Sequence, residues 1–376
     1  MRKSFKISSS SLSRLVFPSF SRSFRSFMTL DDADAAMPGA SSDADASAGG
    51  ADADQIRTCC AAGSMGRKRR KREERKANKK LQNASSGGKK SGPTPPTPKM
   101  TPVPTDMLTT VDEERKRQNE HNKHALTSIE REHVMAVYDT VAEQWHATRY
   151  KPWPKVVDFV QTLPPRSLVA DVGSGNGKHA AAATKLGHGV VCVDFSASLC
   201  AVSAASHGLD NVVGDAAAPP LRRGAFDAAL SIAVLHHVAT LERRQALVAE
   251  TMRCLRVGGR ALFYAWAREQ ERSGGTSGHE FGKHADVLVP WHHRTFEHGS
   301  KATADEAQRL EVCRAAAPAQ HGVVDAEKRA VIYQRYCHVY EAGELDQLFE
   351  PIKDWVDVVR VYEDTGNHCV EARRTA

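Results

Sequence analysis

The pattern of apolar and polar positions changes character near residue 129. Ile129, His133, Val134, Val137, Tyr138 and Val141 recur at spacings of three and four, which predicts an amphipathic helix. The prolines of the segment 145–154 stop it. Residues 156–163 predict a second helix, ended by Pro164 and Pro165. A short β-branched run at 167–172 reads as a buried strand. Helix 178–186, strand 190–193, helix 196–206, strand 211–213, strand 228–232, helix 242–256 and strand 260–266 follow. Such alternation predicts an α/β fold, a mostly parallel Rossmann-like sheet with helices on both faces, whose ligands bind beyond the carboxyl ends of the strands. Residues 129–376 are expected to form this one domain. The stretch 271–330, with S-G-G-T-S-G and an Ala-rich charged part, reads as a long flexible insert.

Upstream of residue 129 no core-building period appears, and 1–128 reads as a disordered tail. Residues 1–30 carry six basic residues, no acid and many serines; this is the composition of a transit segment, and equally of an extension ahead of an internal start at Met28 or Met65. Residues 31–54 hold seven Asp and no base, and 67–80 hold ten basic residues in fourteen. That run reads either as a nuclear-localisation or nucleic-acid patch or as a solvated stretch. Six prolines at 93–104 predict a stiff linker.

Charge follows the same division. Of 52 basic and 45 acidic residues, the first 130 positions hold 24 and 15, so the net +7 is a basic tail joined to a faintly acidic domain. A domain that coats nucleic acid through its own net charge is thereby disfavoured. No run of 18 apolar residues exists, so no membrane span is expected. Eight scattered cysteines without a CxxC pair favour a reducing compartment and argue against a metal site. His279, His284, His292 and His293 read as solvated loop, and Glu242, Arg243 and Arg244 as an exposed first helical turn.

The chemistry begins at D-V-G-S-G-N-G, residues 171–177. Gly173, Gly175 and Gly177 let backbone N–H groups approach a ligand closely, and Asp171 precedes them. Asp194 closes the next strand, where a carboxylate accepts both hydroxyls of a ribose. Asp215, at the same interval further on, stands where a purine amino group needs an acceptor. Loop and acids together fit a nucleoside without a pyrophosphate.

These features resemble the class I S-adenosylmethionine-dependent methyltransferases. R-Y-K-P-W-P at 149–154, the glycine loop, S-I-A-V-L-H-H at 231–237, E-R-R at 242–244, A-L-F-Y-A-W-A-R-E-Q at 261–270, D-V-L-V-P-W at 286–291 and Y-Q-R-Y-C-H-V-Y-E-A-G-E-L at 333–345 narrow the resemblance. They are similar, in this order, to the eukaryotic tRNA carboxymethyluridine methyltransferases, including the methyltransferase domain of the AlkB-like tRNA hydroxylase. The resemblance implies a seven-stranded sheet and S-adenosyl-L-methionine held by Asp171, Gly173, Ser174, Gly175, Asn176, Gly177, Asp194, Asp215, Ser231 and Ala233. It implies methyl transfer to the carboxylate of 5-carboxymethyluridine at the tRNA wobble position, with a small zinc-containing activator subunit as partner. No metal is expected in this chain, and the expected compartment is cytoplasmic, with the nucleus open through the basic run. Ser174 stands where the family usually has Cys, and His368–Cys369 where it has an aromatic pair.

A carboxylate, with a pKa of about 4, is already a nucleophile at neutral pH, so the site needs no general base. It must hold that carboxylate in line with the methyl group. Arg149, beside Tyr150, is the expected clamp. His236 and His237 are the expected hydrogen-bonding pair, Trp266 the stacking face, and Arg335 with Tyr336, ahead of a last helix, a second cation and ring. Each has a plainer alternative: Arg149 paired with an acid such as Glu143, Tyr150 as packing, Trp266 as core, one histidine buried. A methyltransferase for a small carboxylate or phenol, or a non-catalytic RNA-associated protein, would share the fold.

Overall fold

Burial alternates along the central strands in the way a sheet covered on both faces requires. In Phe226–Ile232, Ala228, Leu230 and Ile232 point into one apolar layer and Ala229 into the other. In Leu255–Trp266, Leu262 and Tyr264 are separated from Ala261, Phe263 and Ala265 in the same manner. The computed structural model describes residues 100–117, 125–270, 281–294 and 304–376. All belong to one compact unit, Pro93–Ala376.

In chain order, strand β1 is Thr101–Pro102 and helix α1 Thr105–Arg117. Helix α2 starts at Ser128–Glu130 behind a Thr127–Glu130 capping box, passes through a π-helical turn, Arg131–Met135, and continues as Ala136–Thr148. Then come α3 Pro154–Gln161, β2 Leu168–Val172, α4 Lys178–Lys185, β3 Gly189–Asp194, α5 Ala197–His207 and β4 Asp210–Val213. β5 Phe226–Ile232, α6 Leu241–Cys254 and β6 Leu255–Trp266 complete the parallel part. β7 Asp286–Arg294, α7 Ala304–Ala316, β8 Val323–Asp325, β9 Ala330–His338, the short α8 Glu344–Gln347, β10 Val356–Asp364 and β11 Asn367–Arg374 follow.

The main sheet has the order β10-β11-β6-β5-β2-β3-β4. β2 to β6 run parallel, and β11 is antiparallel between β6 and β10. This is the class I methyltransferase arrangement. The strand order turns back between β2 and β5, and there the cleft opens. Leu247, Val248 and Met252 of α6 cover one face; Val156, Phe159 and Val160 of α3 cover the other.

Two expectations are corrected. Within the insert 271–330 the described residues do not form a long loop: β7 and β8 pair with β9, and β1 joins them, in a second, antiparallel sheet of order β1-β7-β9-β8. Leu288 and Trp291 pack with Val134, Val137 and Val141 of α2, while Val287 and Val289 pack with Val339 on the opposite side. Pro290 is tolerated because β1 pairs only at Val287 and Leu288, so its nitrogen faces an unpaired edge. The disordered-tail reading also fails for residues 100–117, because Val103 and Val111 are buried against α2. The transit-like segment, the acidic stretch, the basic run and most of the proline linker lie outside the described residues.

Candidate active site

The glycine loop is shaped by what surrounds it. Gly173 (φ +78°) and Ser174 both donate to the carbonyl of Val193, at 2.7 and 3.0 Å. A Cβ on Gly173 would stand 2.3 Å from a methyl of Val234; one on Gly177 (φ +73°) would stand 2.3 Å from Ser203 Oγ. Either substitution strains the backbone and collides with packed neighbours. The Gly175 N–H donates to Asp194 Oδ2 at 2.8 Å, and the Ser196 N–H donates to Oδ1 at 2.9 Å. Asp194 is thus aimed by backbone at the loop.

The loop, Asp171, Asp194, Phe195, Asp215 and Ala233 line a cleft of ≈ 220 Å³ that extends to Arg149, His236, His237 and Trp266. Asp171 is 1% exposed, and its Oδ2 has no hydrogen-bond partner. Burial, and then Asp194, pushes its carboxyl up to about 7. Burial pushes Asp194 to about 6, against the pull of the Ser196 and Gly175 amides. An unsatisfied carboxylate and a second one with lone pairs facing the cleft suit a ligand that brings hydroxyl and ammonium donors. The cofactor S-adenosyl-L-methionine carries both.

Asp215 accepts from the Ala217 N–H at 2.9 Å and from Arg243 Nη2 at 2.9 and 3.1 Å. Arg243 in turn reaches Glu130 of α2, at 2.8 Å. The E-R-R turn is therefore not exposed: Arg243 is 2% and Arg244 8% accessible. Ion pairing with Glu130 and Asp215 makes the burial of Arg243 tolerable, while Arg244 lies 5.9 Å from the Tyr340 ring.

At the other end of the cleft two cations share an aromatic box. Arg149 caps the C-terminus of α2, and its guanidinium carbon lies 4.2 Å from the Trp145 ring and 4.4 Å from the Trp291 ring. Arg335 stands 5.2 Å from Trp291, 5.6 Å from Trp145 and 6.0 Å from Trp266. Among the described residues neither arginine forms an ion pair, with Glu143 or any other acid. Burial, and then Arg335, pulls Arg149 down to about 10. Two guanidinia without a counter-ion define a place for an anion.

The histidines are held neutral. His237 Nδ1 donates to the Tyr336 carbonyl at 2.8 Å, so its Nε2 accepts from the Tyr138 hydroxyl at 2.8 Å. That hydroxyl accepts from Arg335 at 3.2 Å. Burial, and then Arg335, pushes His237 down to about 3, and His236 is likewise held well below its ordinary value. His236 stacks on Trp266, with ring centroids 4.5 Å apart. His236, His237 and Cys337 come within reach of one metal ion, but hydrogen bonds engage both nitrogens of His237, and burial pushes the Cys337 thiol to about 12.

The structure brings together Asp171, Gly173, Ser174, Gly175, Asn176, Asp194, Asp215, Ala233, Arg149, His236, His237 and Trp266. Arg335 joins them through the tryptophan box. Four expected residues fall outside. Tyr150 is 60% exposed, since α2 has already ended and the chain turns outward. Tyr336 follows Arg335 on β9, ahead of the short α8 as expected, but as a strand neighbour it points to the opposite face and donates its hydroxyl to Asp286. Ser231 is buried inside β5, and Gly177 faces Ser203 and Leu209. Of the loop histidines, His292 and His293 lie on β7.

Sequence reasoning missed Tyr138, Trp145, Trp291, Glu130 and Arg243. Tyr138 and Trp145, seven apart on α2, share its inner face, a signal that was present in the helical period.

A family model described as "Methyltransferase domain" matches residues 170–263. The Schizosaccharomyces pombe tRNA (carboxymethyluridine(34)-5-O)-methyltransferase is 36% identical over 221 residues, 59% of this chain and 88% of that protein. The Xenopus tropicalis protein of that name, alkbh8, is 36% identical over 275 residues, 65% of this chain and 41% of its own length. The Saccharomyces cerevisiae protein of that name is 39% identical over 163 residues, 43% of this chain and 57% of that one. The chain spans less than half the length of the frog, macaque and mouse relatives. With the strand order, the loop and the two-acid cleft in place, this similarity assigns the chain to the tRNA (carboxymethyluridine(34)-5-O)-methyltransferase family.

Proposed function

We propose that this chain transfers the methyl group of S-adenosyl-L-methionine to the carboxylate of 5-carboxymethyluridine at the tRNA wobble position, forming the methyl ester. The observation that carries the reading is Arg149, which lines the cleft, backed by the buried Arg335 in the same tryptophan box, with no acid paired to either among the described residues.

When bound, the cofactor supplies an electrophilic methyl on a sulfonium, so that a carboxylate oxygen gains the methyl and a neutral thioether leaves. Asp194 accepts the ribose hydroxyls, Asp215 the adenine amino group, and Asp171 faces the ammonium end. Arg149 binds and orients the acceptor carboxylate, and Arg335, buried in the tryptophan box behind it, adds positive charge. Opposite charges cancel in this reaction, so a dry, apolar box favours the transition state over the solvated ions. The mutual repulsion of the arginines serves the same end: a carboxylate relieves it without being clamped so firmly that its oxygen loses nucleophilicity. Neutral His236 adds hydrogen bonding without adding charge, while His237, with both nitrogens engaged, holds the Tyr138 hydroxyl in place. Trp266, stacked on His236, offers a face to the uracil ring.

The described domain is not basic enough to hold tRNA by net charge. We assign phosphate contact to the basic run 67–80 and to a small zinc-containing activator subunit, with the cytoplasm or nucleus as the place of action. The test is mass spectrometry of wobble nucleosides after carboxymethylated tRNA is incubated with chain, cofactor and activator. The methyl ester should appear. Cofactor binding without any ester on tRNA would refute the substrate assignment and favour a small carboxylate or phenol.

A further inference from the structure

The buried triad Glu130–Arg243–Asp215 links the start of α2 to the end of the cleft opposite the arginine pair. Glu130 uses its whole acceptor set. Oε1 accepts from the Ala239 N–H at 2.7 Å and from Arg243 Nε at 3.1 Å; Oε2 accepts from the Thr127 N–H at 3.1 Å and lies 2.8 Å from Arg243 Nε. Asp215 Oδ1 is also filled, by the Ala217 N–H and Arg243 Nη2, while Oδ2 takes only the Arg243 contact. The side chains of Glu130 and Arg243 are 2% exposed and that of Asp215 22%, and all three line the cleft. Each oxygen but one is saturated. The remaining lone pairs of Asp215 Oδ2 are the acceptor the cleft has to offer there.

We propose that Arg243 is a positioning residue that fixes the Asp215 carboxylate for the adenine amino group, and that Glu130 sets this selectivity by holding Arg243. The inference rests on the cofactor reading above. Without Arg243, Asp215 keeps a single backbone donor and its rotamer is free. Without the Glu130 charge, Arg243 is held less firmly on that side and pulls on Asp215. Burial alone would lower the hold of Arg243 on its proton, but Glu130 and Asp215 raise it, so the arginine stays charged; burial raises the Glu130 carboxyl, against the pull of Arg243. Because Glu130 also closes the capping box of α2, the helix that ends in Arg149 is seated by the same contact that aims Asp215.

The test compares two ligands by calorimetry on the full chain: S-adenosylhomocysteine, which donates an amino hydrogen to Asp215, and S-inosylhomocysteine, whose 6-oxo group cannot. The unsubstituted chain should prefer the adenosyl compound by about tenfold or more, the worth of a hydrogen bond to a charged acceptor. Glu130→Gln, which keeps shape and the Ala239 contact, should compress that preference about fivefold while inosyl affinity holds. Arg243→Gln should abolish the preference, and Arg243→Lys should restore part of it. A merely structural triad would weaken both ligands equally; an unchanged ratio in Glu130→Gln overturns the proposal even if Arg243→Gln fails to fold. If the unsubstituted chain binds neither compound, the cofactor reading falls first and this one with it. If it binds both and the ratio never moves, only this one falls.

Discussion

Replacing Arg149 by Met should make the protein more stable and less active at once. The guanidinium sits in surroundings that pull it from an ordinary 12.5 to about 10, by burial first and Arg335 second. That difference corresponds to about 3 kcal/mol of unfavourable environment, an upper bound because the group is only partly buried. Removing the charge relieves it and relieves Arg335 as well. The cost is the contact with the Trp145 and Trp291 rings, worth about 1 kcal/mol each for a cation and partly retained by a thioether. The balance is a gain of about 1–2 kcal/mol, or roughly 2–6 °C in Tm for a domain of this size. Loss of charge-assisted bonds to the acceptor carboxylate should lower kcat/KM for tRNA by about 10- to 100-fold. S-adenosylhomocysteine affinity should hold, because Asn176 reaches the backbone carbonyl of Arg149, at 3.1 Å, and not its side chain. Differential scanning calorimetry and single-turnover methyl transfer decide the matter. A lowered Tm would show that the box is not electrostatically loaded, and unchanged transfer would remove Arg149 from the acceptor site.

Gly173→Ala combines positive φ with the Val234 collision and should cost about 3 kcal/mol and abolish S-adenosylhomocysteine binding; affinity within twofold of the parent would contradict the loop assignment. Because Asp171 and Asp194 titrate at about 7 and about 6 in the ligand-free fold and must be ionised to accept donors, S-adenosylhomocysteine affinity should rise from pH 5.5 to pH 8. Binding at pH 6.5 should release protons, visible as a buffer-dependent heat; a flat profile would argue against both acids as ligands. Tyr150→Ala should change Tm and cofactor affinity by less than about 0.5 kcal/mol, as for other exposed sites, and a large loss of stability would contradict its placement. Deleting residues 1–99 should leave Tm unchanged and flatten the salt dependence of tRNA affinity; an unchanged slope would move the phosphate contacts away from the basic run.

What was legible in the sequence is what the chain builds locally. The loop 171–177 joins one strand to one helix, Asp194 ends the next strand and Asp215 lies just beyond the one after, so spacing alone locates the nucleoside side of the cleft. The acceptor side is assembled from α2, β7 and β9, and nothing local announces that Trp145, Trp291 and Arg335 meet. Arg243 looks like a solvated helix start until Glu130 and Asp215 are brought to it by the fold. Tyr336 is assigned to the site only if its segment is not a strand; once it is, period two sends Arg335 and Tyr336 to opposite sides. The second sheet escaped because β7 and β9 are separated in sequence by α7, and β1 lies ahead of the whole main sheet, so nothing local announces their pairing.

That sheet also sets an order of events. β1 precedes every strand of the main sheet, yet among the described residues its only strand partner is β7, which follows all five parallel strands. During synthesis the parallel core can therefore close before β1 has anything to join. α1 can already pack on α2 through Val111, but β1 stays unpaired until β7 emerges. Closing so wide a loop is slow, and it happens late. The box around Arg149, which needs Trp291 of β7 and Arg335 of β9, is then among the last parts to mature, after the cofactor loop is in place. A nascent or truncated chain ending before β7 would hold a nucleoside pocket with no acceptor site to serve.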